Sequence, residues 1–209
     1  MTLPADPSSP ARTGRANQKE RTRSAILDAT RELIKSGGAV NMPAVARAAL
    51  VSDATAYRYF PDLLSLLREA LAGILPSPVD ALKPIAHVGD PVERIGYATR
   101  WLLRSVLGFE GAVRAMISAS ITDSQAAASR PGQRFALIDQ ALAPLNESFA
   151  KTDPKAFAQL KRDLAVVVSA EALFTLMDLC GLTPKAAVAS AVHTAKTLTA
   201  AALKPAAEA

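Results

Sequence analysis

The sequence predicts an all-α protein, and three observations support this class. Segments with an apolar residue at every third or fourth position recur along the chain, as amphipathic helices require. Two of these segments begin with a capping residue followed by proline, Asp153-Pro154 and Thr183-Pro184. No segment alternates apolar and polar residues for long enough to form a strand. We therefore expect a series of helices joined by short connections.

Length and composition fit one small and one medium-sized domain. The chain has 209 residues, whereas a common single domain has roughly 100 to 150. Half of the residues are hydrophobic and 21% are charged, so the chain can bury a sizeable core. The single cysteine, Cys180, excludes an intramolecular disulfide framework. The pattern predicts a flexible basic arm over 1–17, a helix-turn-helix domain over 18–75, a connector over 76–90 and a larger helical domain over 91–209.

The first domain is predicted to contain short helices around a tight turn. An amphipathic helix runs from Lys19 and ends at two glycines, residues 37 and 38. Asn41 and Ser52 are N-cap residues for a second and a third helix, and the third extends to about Phe60. A fourth helix runs from Asp62 to about residue 73. Short helices separated by a tight turn are the layout of a helix-turn-helix unit.

The larger domain is predicted to be wholly helical. Prolines 76, 78 and 84 make 76–90 a connector, and helices are expected at 91–107, 110–121, 131–151, 154–180 and 184–203. The last two are apolar on more than one side, so each needs more than one packing partner. Packing against the same helices of a second subunit satisfies this need and predicts a homodimer. Two core helices inside a compact monomer are the alternative.

The positive charge of the chain is concentrated in its first quarter. The whole chain has a net charge of +5, and residues 12–60 alone contain nine basic and four acidic residues. The rest of the chain is almost neutral. This distribution indicates that the first domain meets a polyanion, whereas a solvated basic tail is the alternative.

Two stretches of the first domain resemble the TetR family of transcriptional regulators. They read RTRSAILDATRELIKSGG and MPAVARAALVSDATAYRYFPDLLSLL, and they match the family's order of apolar pair, glycine turn, alanine-rich helix, Val-Ser turn and closing Tyr-x-Tyr-Phe. The resemblance covers about a quarter of the chain. It implies a homodimeric repressor that binds a double-stranded DNA operator, is released by a small-molecule effector and uses no cofactor.

The third helix and its flanks carry the candidate DNA contacts. If Ala56 and Phe60 face the core, the polar residues between them face outward. Hydroxyl and guanidinium groups on such a helix bond base edges and phosphates in the major groove. The resemblance implies that Tyr57 contacts phosphate and that Thr55 and Tyr59 lie at base edges. The candidates are Asn41, Arg47, Ser52, Thr55, Tyr57, Arg58 and Tyr59.

Some of these assignments have alternatives. Arg58 can read a guanine, bind a phosphate or pair with Asp62. Asn41 and Arg47 are either phosphate contacts or structural caps. Three departures from the family pattern weaken the expected DNA affinity. Leu50 replaces a turn glycine, Leu63 and Leu64 replace a lysine and a glutamate, and Asp53 repels phosphate. The alternative function is therefore a helical effector-binding or protein-interaction module whose helix-turn-helix domain, called the head, is degenerate.

The larger domain is expected to hold a small-molecule pocket between its helices, as the resemblance implies. Core packing is the competing interpretation for each aromatic or methionine candidate. Glu171 lies in an apolar run, so its carboxylate either binds an effector or pairs with an arginine across the dimer. The candidates are Trp101, Phe109, Met116, Phe135, Ile138, Glu171, Phe174 and Met177. The two histidines have no acidic or cysteine neighbours at ligand spacing, so no metal site is expected.

Enzyme and membrane classes find no support in the sequence. It has no glycine-rich phosphate loop, no nucleophile elbow and no His-Glu metal motif. The longest apolar run, residues 164–177, is too short to span a bilayer and contains Glu171. The N-terminus has no apolar core behind its charges. We expect a cytoplasmic protein that is not an enzyme.

Overall fold

The computed structural model describes residues 10–37, 40–72, 74–122 and 132–204. Within these ranges all regular secondary structure is helical, which confirms the all-α class. Short 3-10 turns at Lys83–Ile85 and Ala143–Leu145 link some of the helices. The α-helices, numbered in chain order, are α1 (Pro10–Lys35), α2 (Met42–Ala48), α3 (Asp53–Tyr59), α4 (Leu63–Ala72), α5 (Pro78–Leu82), α6 (Pro91–Gly108), α7 (Glu110–Thr122), α8 (Gln133–Ala141), α9 (Phe149–Thr152), α10 (Pro154–Val167), α11 (Ala170–Asp178) and α12 (Pro184–Ala202).

The first four helices form a small domain around one apolar core. Ile26, Val45, Ala56 and Leu67 are fully buried in it, and Phe60 is almost so. Burying a side chain of this size contributes about 1.5 to 3 kcal/mol. Ala56 and Phe60 therefore face inward as the sequence predicts, which fixes the opposite side of α3 toward solvent.

Arg23 of α1 ties three helices of this domain together. Its guanidinium donates two hydrogen bonds to the carboxylate of Glu69 on α4. It also lies 5.0 Å from the ring centroid of Phe60, the residue that ends α3. The hydrogen bonds to Glu69 raise the pKa of the Arg23 guanidinium. This contact sets the position of α3 relative to α1 and α4.

The turn between α2 and α3 has the hydrogen bonds of a Schellman motif. The Leu50 amide donates to the Arg47 carbonyl at 3.2 Å, and the Val51 amide donates to the Ala46 carbonyl at 3.0 Å. Leu50 has φ +56° and is 93% exposed. Glycine is the residue usually found at this position because a β-carbon is disfavoured at positive φ. Leu50 therefore strains the turn and gains no burial in return.

Replacing Leu50→Gly is expected to stabilise the protein by about 0.5 to 1 kcal/mol, because it removes the strained β-carbon. Urea unfolding followed by circular dichroism measures the shift of the midpoint. Leu50→Ala is the matched control, since it removes the exposed side chain but keeps the β-carbon. Equal midpoints for the two variants would contradict the assignment of strain to this residue.

The larger domain is built on α6, against which α12 packs along much of its length. The two helices approach closely at Gly96, where a β-carbon would lie 2.9 Å from Cδ of Lys196. Lys196 also pairs with Glu93 of α6. Helices α8 and α10 cover another side of α6 and bury Leu137, Leu160 and their neighbours. The two final helices thus contribute to the core of their own chain.

Arg94 fixes the start of α6 from inside this core. The residue is 5% exposed, and its guanidinium donates to four backbone carbonyls. The acceptors are Ala141 at 3.0 Å and Gln140 at 2.8 Å, at the end of α8, and Ile85 and Val88, both at 3.2 Å. A positive charge at the C-terminus of a helix is favoured by the helix dipole. Arg94 therefore joins α6, α8 and the turn after α5.

The structure corrects the predicted start of the first helix. Residues 10–17 of the predicted flexible arm belong to α1, which begins at Pro10. Proline is favoured in the first turn of a helix because its missing amide hydrogen is not needed there. The residues that follow include alanine, arginine, glutamine and lysine, which favour helix and outweigh the single glycine at position 14. Residues 1–9 of the predicted arm lie outside the described part of the chain.

Two long predicted helices are each divided. The segment 131–151 contains α8, a 3-10 turn and α9, because Pro144 cannot donate the hydrogen bond that would continue a helix. The segment 154–180 divides into α10 and α11 at Ser169, whose hydroxyl donates to the Val166 carbonyl and accepts from the Ala172 amide. Side-chain bonds of this kind compete with the helical ladder.

The predicted connector is also partly helical, because α5 lies within it. Ser77 caps this helix, and Ala81 and Leu82 are buried in the larger domain's core. Among the described residues, no helix combines the length and apolarity needed to cross a bilayer.

Candidate nucleic-acid interface and ligand cavity

Helix α3 presents a polar, solvent-facing surface. Tyr57 is 49% exposed and Arg58 is exposed. Thr55 and Tyr59 are half-buried, and Tyr59 packs against the small domain's core. The Arg58 guanidinium lies 5.6 Å from the ring centroid of Tyr59. Hydroxyl, phenol and guanidinium groups thus lie on the solvent-facing side and the flanks of a short helix.

Two of the predicted DNA contacts cap helices in the structure, whereas a third has an exposed side chain. The Ser52 hydroxyl accepts from the Thr55 amide at 3.2 Å and donates to the Thr55 hydroxyl at 2.9 Å. The Asn41 side chain accepts from the Ala44 amide at 2.9 Å. Both residues are therefore N-caps, as their sequence positions predict. Arg47 is exposed near the end of α2, just before the turn that leads to α3.

Asp62 does not pair with Arg58 in the described structure. Its carboxylate accepts from the Ser65 amide at 2.7 Å and so caps α4. This leaves the Arg58 guanidinium available to a base or a phosphate.

Sequence reasoning missed the contribution of α1 to this surface. Gln18, Lys19 and Thr22 line a groove together with Ser52, Thr55, Arg58 and Tyr59. The groove measures about 630 Å³. The polar face of α1 was visible in its periodicity, but no sequence spacing shows which helix lies beside it. Lys19 adds a cation close to the N-terminus of α3, where free backbone amides already favour an anion.

The residues that depart from the family pattern have clear places in the structure. Leu64 is buried in the small domain's core, and Leu63 packs against that core. Asp53 is exposed in the first turn of α3, where the helix dipole favours a carboxylate. The two leucines therefore add apolar packing where the family has charged groups.

A cavity of about 530 Å³ lies between the larger domain and α4 of the small domain. Its apolar wall includes Leu71, Leu102, Val106, Val113 and Met116. Polar and charged groups are confined to part of its lining. These are Arg68, Ser77, Gln133, Arg134, Ser169 and Glu171. The volume of this cavity, and its largely apolar lining with a few polar groups, are typical of sites for small organic ligands.

Glu171 pairs within its own chain. Both of its carboxylate oxygens lie 3.5 Å from the guanidinium of Arg134 on α8. Arg134 also donates to the Ala165 carbonyl at 3.3 Å. This pair is intrachain and lies in the cavity wall. Effector binding by Glu171 and a pair across a dimer both stay predictions.

The cavity unites only some of the predicted lining residues. Met116 and Glu171 line it, whereas Trp101 and Phe109 line a separate groove. Phe174 borders a third depression on the surface. The remaining three lie elsewhere: Ile138 is in the core, Phe135 is 55% exposed, and Met177 packs against a cluster formed by α6, α11 and α12.

The cavity touches the core of the small domain. Met116 of α7 and Leu71 of α4 are buried in that core and also line the cavity. Helices α4 and α7 pack against each other. A ligand in the cavity therefore contacts side chains on which the position of α4 depends.

Arg114 connects α7 to α11. Its guanidinium donates to Asp178 at 2.7 and 2.9 Å and to Glu110 at 2.8 Å. It also lies 3.9 Å from the ring centroid of Phe174. The hydrogen bonds from Arg114 lower the pKa of Asp178 below its ordinary value. The helix that carries Met116 is thus tied to α11 within the larger domain.

Comparison with known proteins agrees with this architecture. Residues 26–70 match the family described as bacterial regulatory proteins, tetR family. The chain is 37% identical over 134 residues to the HTH-type transcriptional repressor KstR of Mycobacterium tuberculosis, over 62% of this chain and 60% of that protein. It is 41% identical over 117 residues to KstR of Rhodococcus jostii, over 53% of each. The matches thus span little more than half the length of these relatives.

A solved structure extends the similarity to the whole fold. The chain resembles FadR of Thermus thermophilus, a TetR-family transcriptional repressor in complex with lauroyl-CoA, with a TM-score of 0.61 and 21% identity. This likeness covers 90% of the chain and 99% of FadR.

The chain therefore combines a helix-turn-helix domain with a larger helical domain, and a ligand-sized cavity lies between them. Over residues 26–70 the chain is similar to the tetR family of bacterial regulatory proteins, and its fold as a whole resembles that of a TetR-family repressor.

Proposed function

We propose that this protein is a homodimeric transcriptional repressor that a small-molecule effector releases from DNA. The exposed polar face of α3, built on an intact head core, carries this proposal. Regulators of the family bind DNA operators and small-molecule effectors and act as dimers. Residues 18–75 serve as the DNA-binding domain, and residues 91–209 bind the effector and the second subunit.

The DNA contacts come from α3 and its flanks. Thr55 reaches a base edge in the major groove, and Arg58 contacts either a base edge or a phosphate. Tyr57, Arg47 and the amides at the start of α3 bind phosphates. Lys19 of α1 adds a further phosphate contact. Two heads of a dimer bind half-sites about 34 to 36 Å apart or a small multiple of that distance.

The dimer forms through α11 and α12. The outward residues of α12 are small or polar, including the exposed Ala189, Thr197 and Ala201, so a helix of a second copy can approach closely. Leu179, just after α11, is 82% exposed and gains burial in such a contact. These open surfaces support a dimer in which both helices pack against a partner.

The effector has an apolar body and a polar or anionic end. The apolar wall of the cavity accommodates the body, and the guanidinium groups of Arg68 and Arg134 bind a polar group directly next to that body. Arg68 is exposed. FadR of Thermus thermophilus has been solved with lauroyl-CoA, which has both features and is therefore the probe of choice.

The effector acts through Leu71 and Met116. A ligand that fits the cavity better when α4 is displaced favours that state and lowers the affinity of the head for DNA. Filling the cavity changes the packing of these two side chains. Because α4 is a helix of the small domain, this change alters the position of the DNA-binding helices.

Selection from random-sequence duplexes with the purified protein tests the DNA-binding function. We expect a roughly palindromic site with two similar half-sites. Enrichment of no sequence over the starting pool would contradict the proposal.

The variant Val113→Phe is expected to weaken the binding of lauroyl-CoA at least tenfold, because it fills part of the cavity. Isothermal titration calorimetry measures the affinity, and urea unfolding checks that the variant folds. Val166→Phe is the matched control, since Val166 is 71% exposed on α10 and does not line the cavity. Equal affinities of the two variants would place the ligand outside this cavity.

A further inference from the structure

A second groove, of about 500 Å³, lies between α6 and the segment that follows α4. Arg100, Trp101 and Arg104 of α6 line one side of it. Leu75 and Pro76 form part of the other side, and these two residues also line the cavity described above. The groove and the cavity are thus neighbours that share one wall.

Arg100 and Arg104 are one helical turn apart and both are exposed. Residues at this spacing lie on the same face of a helix, where two like charges repel each other. Neither guanidinium has a hydrogen bond or an ion pair within the part of the chain that the structure describes. No carboxylate is among the residues that line the groove.

Other arginines of the same domain are satisfied, which makes this pair distinctive. Arg94 donates to four carbonyls, and Arg114 binds two carboxylates. Two neighbouring cations without protein partners form a site for an anion, and paired guanidinium groups suit phosphate oxygens.

The groove also offers aromatic surface beside the two cations. Trp101 is half-buried and lies between them in sequence, and Tyr97 and Phe109 line the groove as well. Aromatic side chains stack on the planar rings of nucleobases, and this contact accepts any base. A phosphate site beside an aromatic surface has the two features that a nucleotide requires.

We propose that this groove binds a nucleotide, with its phosphates on Arg100 and Arg104 and its base against Trp101. The nucleotide is either a free molecule or one end of a larger ligand whose apolar part reaches the cavity past Leu75 and Pro76. The site goes beyond the effector cavity, and nucleotide binding to it does not depend on whether the head binds DNA.

Titration with ADP tests the proposal directly, because Trp101 is the only tryptophan of the chain and reports from inside the groove. ADP is expected to change the tryptophan fluorescence saturably. Adenosine, which lacks the phosphates, is expected to bind at least tenfold more weakly. Calorimetry gives the same affinity independently of the fluorescence.

The double variant Arg100→Gln and Arg104→Gln is expected to bind ADP at least tenfold more weakly than the wild type. Arg162→Gln is the matched control, because Arg162 is exposed on α10 and binds Gln159 away from the groove. Absence of saturable ADP binding, or equal affinity in the double variant, overturns the proposal.

Two further measurements define the source of the nucleotide and separate this proposal from the proposed function. If lauroyl-CoA displaces ADP more strongly than coenzyme A does, the natural nucleotide is one end of a larger ligand. If the two compounds displace ADP equally, it is a free nucleotide. Either result supports a nucleotide site in the groove. Operator affinity without nucleotide is measured separately, so loss of DNA binding contradicts only the repressor function.

Discussion

Replacing Arg94→Met is expected to destabilise the protein by about 3 kcal/mol or more, one of the largest effects of a single substitution. The guanidinium donates to four backbone carbonyls, one hydrogen bond being buried and three part-buried, and methionine fills a similar volume without replacing any of them. A hydrogen bond to a charged group contributes about 1.5 to 3 kcal/mol, and carbonyls left without a donor add their desolvation cost. Recovery of the solvation of the buried charge offsets part of this sum.

Urea unfolding followed by circular dichroism measures this change. Arg162→Met is the matched control, since its arginine is exposed and binds only Gln159 among the described residues. We expect a much lower midpoint for Arg94→Met and almost none of this shift for the control. An unchanged midpoint for Arg94→Met would contradict its role as the clamp between α6 and α8.

The second large effect is expected in the head, where Tyr57→Phe combined with Arg58→Ala weakens operator binding. Loss of a guanidinium contact to a base costs about 1 to 3 kcal/mol, and loss of a phosphate contact lowers the salt slope by about 1. Both residues are exposed and distant from the head core, so the variant is expected to fold normally.

The single variants distinguish the roles of the two residues. If Arg58 reads a guanine, Arg58→Ala relaxes specificity at one position of the operator. If Arg58 binds phosphate, Arg58→Ala weakens binding to all DNA sequences alike and reduces the salt dependence of the affinity. Tyr57→Phe is expected to have the smaller effect, since it removes one hydroxyl. Unchanged affinity and slope in the double variant would show that this face of α3 does not contact DNA.

The small domain was largely predictable from the sequence, because its signals are local. Asn41 and Ser52 cap the helices that follow them, and Ala56 and Phe60 face inward. The unusual turn was also visible, since Leu50 occupies a position where the family has glycine. The sequence did not give the backbone angle of Leu50, which has the positive φ that glycine tolerates best.

The larger domain was predicted less completely because its breaks and partners depend on packing. Ser169 interrupts a continuous apolar run, and only its hydroxyl bonds show that the helix divides there. Arg94 was overlooked because an arginine in an amphipathic helix usually faces solvent. One signal was present, since Arg94 lies four residues before Ala98, on the stripe that α6 buries.

The cavity residues illustrate the same limit. Periodicity identified Met116 as apolar and inward, but the same criterion selected Ile138, which belongs to the core. Which inward side chain faces a cavity depends on how neighbouring helices diverge, and the sequence of one helix does not contain that information.

Fluorescence anisotropy of the wild-type protein with its selected operator, repeated at several salt concentrations, is the most direct test of the repressor function. We expect saturable binding by two protomers per duplex. Affinity should fall steeply with salt, by about 10³ to 10⁵ between 50 and 200 mM for six to ten phosphate contacts. Weak binding that is equal for every duplex and insensitive to salt would contradict a sequence-specific regulator.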